Sequence, residues 1–178
     1  MKKKILAQVS SVTGNTRKVA DFTMNMLRKE GHEVIEIMSA SEIDSIKVSQ
    51  FDFVIVFFWC RKSAMDDKSN KLVDALTGVP ILAIGTLGGH DDGPYAERVR
   101  GNVREKIKEK NSCLDIFMCR GKVNLKRTWE RAKLPESAPH HLDEKGIRRH
   151  LESQSHPDSR DLLAASKFAM KAANEFVR

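Results

Sequence analysis

The segment Phe51-Asp-Phe-Val-Ile-Val-Phe-Phe58 constrains the architecture more than any other part of the chain. Apart from Asp52 it is wholly apolar, so both alternating faces of a strand here must be buried. Strands of that kind sit in the middle of parallel sheets whose two faces are covered by helices. Shorter apolar runs at Lys4–Val9, Val34–Met38, Val79–Ile84 and Cys113–Cys119 also read as strands. Between them lie segments with helical spacing. Thr13–Glu30 places Val19, Ala20, Phe22, Met26 and Leu27 near one face and stops at Gly31. Lys68–Leu76 is closed by Gly78, and Tyr95–Lys110 is amphipathic and basic. Alternating strands and helices predict right-handed crossovers and an α/β doubly wound, five-stranded parallel sheet in the order 2-1-3-4-5, with helices on both faces.

The 178 residues suit a single domain, 1–178. Residues 121–157 are polar and basic and are punctuated by Pro135, Pro139 and Pro157. Helical pieces are expected there near 125–133 and 142–153, as a surface excursion before a final helix over 158–177. Asp158 or Ser159 should start that helix, and Leu162, Leu163, Ala165, Ala169 and Phe176 should form its apolar face. No apolar run approaches the ~18–20 residues of a membrane helix, and Ile5-Leu-Ala7 is too short for a signal peptide. Cys60, Cys113 and Cys119 are an odd set without CxxC spacing, which argues against disulfides and zinc and for a cytoplasmic setting. The net charge of +7 favours acidic partners. Aromatic residues are only 6% and are not interleaved with basic ones, so nucleic acid is disfavoured.

The loop Ser10-Ser-Val-Thr-Gly-Asn-Thr16 falls between the first strand and the first helix. Four of its seven residues carry hydroxyls, whereas an ordinary N-cap needs one. With the positive end of the helix behind it, such a loop can cradle a phosphate without lysine or metal. Other phosphate sites are excluded by what is missing. There is no GxxxxGK[ST], and no GxGxxG follows the first strand. Cys-x5-Arg is absent, because Asp66, Cys119 and Leu125 stand six positions after the cysteines. The end of the first strand also lacks the paired acids of a receiver domain.

Ser11-Val-Thr-Gly-Asn-Thr16 with Ala20 resembles the FMN-phosphate loop of flavodoxins. Further marks are Phe58-Trp59, Gly85-Thr-Leu-Gly-Gly89, Cys119-Arg-Gly-Lys122 and His156-Pro-Asp158. Together they resemble a less-studied flavodoxin-like branch over nearly the whole chain. The resemblance implies the flavodoxin-like fold, FMN as cofactor, and phosphate contacts from Ser11, Val12, Thr13, Gly14, Asn15 and Thr16. It places Trp59, Cys60 and Arg61 beside the flavin, with Trp59 stacked on the ring or covering the core edge as a rim residue. Thr86, Leu87, Gly88 and Gly89 either approach the flavin edge or form a simple glycine turn. Val9 stands where many flavodoxins carry an aromatic residue, and Arg61–Met65 replaces the branch's usual Gly-Thr pair.

The implied activity is electron transfer between redox partners, acidic ones among them, with no catalytic side chain and no metal. The alternatives are an FMN-dependent NAD(P)H:quinone or small-substrate reductase, and an accessory flavodoxin to a larger reductase, since the branch it resembles includes small flavodoxin-like proteins encoded beside bilirubin reductases. A third class is a non-redox module holding nucleic acid. The basic surface departs from the usual acidic flavodoxin and should make a bound flavin less reducing. His90, Asp91 and Asp92 read as turn residues, and His140, His141, His150 and His156 as solvated ones.

Overall fold

The computed structural model describes residues 1–176. Its sheet contains β1 (Lys4–Val9), β2 (Glu33–Ile37), β3 (Phe53–Arg61), β4 (Ala64–Met65), β5 (Pro80–Leu87) and β6 (Ser112–Arg120). The five long strands are parallel, in the order β2-β1-β3-β5-β6. This is the expected doubly wound, flavodoxin-like topology. The addition is β4, which pairs antiparallel with the end of β3 through Cys60–Met65 and Arg61–Ala64. Strand β3 therefore runs past Phe58, and the segment after Trp59 is a tight hairpin rather than an open loop. Lys62 and Ser63 make its turn with φ of 49° and 62°.

Successive residues of β3 enter opposite cores. Val54, Val56 and Phe58 pack with Leu6, Leu72, Val99, Val103 and Ile107. Phe53, Ile55 and Phe57 pack with Ile5, Ala7, Val19, Leu27, Ala165 and Ala169. The first layer belongs to α2 (Asp67–Ala75) and α3 (Pro94–Lys108), and the second to α1 (Asn15–Lys29) and α6 (Ser159–Glu175). Burying one such side chain fully is worth about 1.5–3 kcal/mol, which is why β3 anchors both layers.

Helix α1 ends as its glycine predicts. Gly31 has φ of 84°, and the His32 N–H reaches back to the Leu27 carbonyl. Helix α6 starts at Asp158, whose carboxylate accepts from the Arg160 and Asp161 N–H groups. Its expected end at 177 lies outside the described residues. Its buried face differs from expectation, because Leu163 is exposed and Ala165, Ala169 and Ala173 face the core. Alanines at four-residue spacing let α6 lie close against α1. The excursion holds α4 (Leu125–Ala132) and α5 (Glu144–Glu152), close to the expected pieces.

His32 is buried, and its Nδ1 accepts the Lys3 N–H at 3.1 Å. Burial, then the charges of Lys2 and the N-terminus, push its pKa below the usual histidine value. The unfolded chain therefore binds this proton more readily, so stability is present at neutral pH and falls as pH drops through about 6.5. Urea midpoints at pH 7.5 and 5.5 should show this loss in the wild type. His32→Asn should show less of it, and an unchanged pH difference would contradict the assignment.

Candidate functional site

All five long strands run the same way, so their carboxyl ends share one edge of the sheet, where ligands of doubly wound folds bind. At that edge β1 passes into α1 through Ser10–Gly14. The turn into the helix is made by Gly14, with φ of 86° and no side chain to cap the helix. No acidic residue occupies the first turn either. The positive end of α1 is thus left open to an anion. Beside it the Ser11 hydroxyl is buried without a hydrogen-bond partner. A buried hydroxyl left unpaired costs free energy, and a bound oxyanion would satisfy it.

Two other polar side chains of the loop are committed to the protein. Asn15 donates to Thr13 Oγ1 and to the Lys122 carbonyl, and its Oδ1 accepts the Lys122 N–H. It clasps the loop after β6 from both sides. Gly121 makes the clasp possible, since a Cβ there would lie 3.0 Å from the Asn15 amide. The Thr16 hydroxyl is buried and meets the Thr86 hydroxyl at 2.8 Å. Neither of these two side chains is free as a donor, so the loop's remaining donors are its backbone N–H groups, Ser11 and Thr13.

A cavity of about 870 Å³ opens above this loop. It is lined by Val12, Thr13, Asn15 and Thr16, by Trp59 and Cys60, and by Thr86, Leu87, Gly88 and Gly89. Ser11, Gly14 and Arg61 line a second depression, which shares Val12 and Trp59 with the first. The Arg61 guanidinium pairs with Asp67 there. Trp59 is half-buried between the two hollows. Gly88 has a role that the sequence does not reveal. A Cβ on it would lie 2.9 Å from Val123, so the glycine admits the excursion against the strand end.

Several lining residues escaped the sequence reading. Tyr95 opens α3 and places its hydroxyl 3.5 Å from Cys60 Sγ. His90, in the turn after β5, also lines the cavity. Burial pushes the Cys60 thiol up, which keeps it protonated and unreactive. Cys119 is buried, and its thiol is pushed up in the same way.

The far wall is the excursion, through Lys122, Val123, Asn124, Arg127, Arg131, Arg149 and His150. It is tied down by Arg120, which donates to the Arg149 carbonyl at 2.8 Å. Ser153 accepts the Val123 N–H, and Gln154 donates to the Val123 carbonyl. His150 is therefore not solvated as expected. It is buried, and its Nδ1 lies 2.9 Å from Thr128 Oγ1. His156 is half-buried and pairs with Asp161 at 2.6 Å. Among the described residues, ligand atoms of His156, Asp158 and Asp161 lie within 4.8 Å of one another, but their carboxylates already cap α6.

Asp66, at the second depression, is only 2% exposed. Its carboxylate accepts from the Ser10 hydroxyl at 2.6 Å, the Trp59 N–H, the Lys68 and Ser69 N–H groups and the Ser69 hydroxyl. It joins the ends of β1 and β3 to the start of α2. The signal in the sequence is an N-cap pattern, Asp66-Asp-Lys-Ser69 directly before a helix.

Comparison with known proteins identifies the family to which this fold belongs. A family model described as a flavodoxin domain matches residues 6–170, so the chain belongs to the flavodoxin domain family. A curated relative, the flavodoxin-like domain-containing protein BilS of Clostridioides difficile, is 30% identical over 171 residues, covering 93% of this chain and 94% of its own. Oxidised flavodoxin 1 from Bacillus cereus superposes with a TM-score of 0.59 at 17% identity, covering 98% of this chain and 99% of that one. A flavodoxin from the domain Archaea does so with a TM-score of 0.54 at 14% identity, covering 97% of each chain. No described helix is long and apolar enough to cross a membrane.

Every atom facing the Asp66 carboxylate donates to it, so Asp66→Asn would turn an amide N–H₂ toward donors. A loss of about 2–3 kcal/mol in urea unfolding is expected. A change below ~0.5 kcal/mol would show that the knot does not hold this edge together.

Proposed function

We propose that the chain binds FMN in this cavity and carries electrons between redox partners. The observation that carries the proposal is an uncapped helix start and an unpartnered Ser11 hydroxyl in a depression that meets the aromatic-walled cavity at Val12 and Trp59. The phosphate would rest on the backbone N–H groups from Ser11 to Thr16, with the Ser11 and Thr13 hydroxyls adding donors. Trp59 and Tyr95 would flank the ring and exclude water, while Thr86–Gly89 would approach its edge. Bound FMN supplies one- and two-electron redox chemistry, and no side chain need act as acid or base. The chain carries 31 Lys and Arg against 24 Asp and Glu, which favours an acidic partner.

Reduction of a small substrate is the second reading. It is favoured by the excursion, which walls the cavity instead of leaving it open as a docking edge.

Protein mixed with FMN and gel-filtered should keep a two-band flavin spectrum. FMN should quench tryptophan emission strongly in the wild type and far less in Trp59→Ala, where Trp129 remains. No retained flavin at micromolar protein would overturn the proposal. The guanidiniums on the cavity wall should also raise the flavin's potential. One positive charge ~10 Å away, at an effective dielectric of ~40, is worth about 0.8 kcal/mol, or about 35 mV per electron. Arg131→Gln should lower the potential by roughly that amount at low salt, and an unchanged potential would show that its charge does not reach the ring.

A further inference from the structure

Three guanidiniums line the excursion side of the cavity: Arg127 and Arg131 on α4, and Arg149 on α5. Among the described residues none of them has a carboxylate within 4.0 Å, which they share with Arg28, Arg98, Arg104, Arg148 and Arg160, but these three stand together on one cavity. Arg127 and Arg131 stand four residues apart, where like charges repel. A helix C-terminus accounts for part of this, since Arg131 and Arg149 lie in the last turns of α4 and α5. It does not account for Arg127, or for the placement of all three on one concave wall. The field on that wall is felt by its own neighbour. After burial, the charges of Arg149 and Arg131 are what hold His150 toward its neutral form. No acid among the lining residues offsets them.

From this we infer a second ligand site: the arginine wall binds a small organic molecule carrying two or more carboxylate or phosphate groups. Guanidinium forks match both oxyanions in bidentate fashion, and several together select for more than one acid group. The cavity lies near the upper end of the ~300–1,000 Å³ usual for small-molecule pockets, which leaves room beside a bound cofactor. Only the statement that the anion sits beside a flavin rests on the proposed function. Anion binding itself requires the arginines alone.

The test is calorimetric titration of the FMN-loaded protein with citrate and, separately, with pyrophosphate, at ionic strength held constant with chloride. Saturable binding of either probe is expected, and the probe that binds identifies the acid group. Arg127→Gln with Arg131→Gln removes two exposed side chains without disturbing the core, and should weaken that binding at least about ten-fold. Arg148→Gln, on α5 but outside the cavity, should leave it unchanged. FMN affinity should fall far less than probe affinity in the double variant, and should be unchanged in Arg148→Gln. Two results would overturn the inference. One is absence of saturable binding of both probes to the wild type. The other is a loss of FMN affinity in the double variant as large as its loss of probe affinity, which would assign the wall to the cofactor's phosphate. If the protein retains no FMN, the same titration with citrate on the flavin-free protein decides the inference by itself.

Discussion

A parallel sheet buried on both faces leaves its chain few places to be polar. In this protein Phe53 to Phe58 are fully covered, so backbone turns and hydrogen-bonding side chains concentrate at the strand ends. The carboxyl edge must then hold together two strand ends, two helix starts and a hollow. One buried carboxylate does most of this. Asp66 collects donors from the residue after β1, from Trp59 near the end of β3 and from the first turn of α2, and so ties these three together. The Thr16–Thr86 and Asn15–Lys122 bonds extend the same network across to β5 and β6. The rim of the hollow is cross-linked by these polar contacts, of which the Asp66–Ser10 and Thr16–Thr86 bonds are buried.

Much of the fold was legible because it follows from local pattern. Phe51–Phe58 implies a central strand, Gly31 a helix end, and Asp158 a helix start. The hairpin of β4 was not legible, because Lys62 and Ser63 adopt positive φ without the Asn-Gly pair that usually signals such a turn. The face of α6 was misjudged at Leu163, since a stripe of alanines carries less hydrophobic signal than one leucine while packing closer.

The site divides in the same way. The run of hydroxyls from Ser10 to Thr16 is a sequence signal of the kind an anion-binding turn carries, but spacing does not say which hydroxyls are spent on the protein. Thr16 and Asn15 are spent and Ser11 is not. The excursion was opaque for a different reason. A basic amphipathic segment reads as a solvated face, and its direction depends on bonds from Arg120, Ser153 and Gln154 that span about thirty residues of chain. Those bonds set Arg127, Arg131, Arg149 and His150 along the cavity, so the basic excursion supplies the charge of its wall.

The central claim is that the β1–α1 turn was built for a phosphate and the hollow above it for a flat ring. Dissociation constants of FMN and riboflavin for the wild type separate these two parts, since the ligands differ only in the phosphate. The account predicts that FMN binds at least about a hundred-fold more tightly, on the order of two or more charge-assisted hydrogen bonds. Equal affinity for the two would contradict it, because the open helix start and the unpartnered Ser11 hydroxyl would then have no part in holding the ligand.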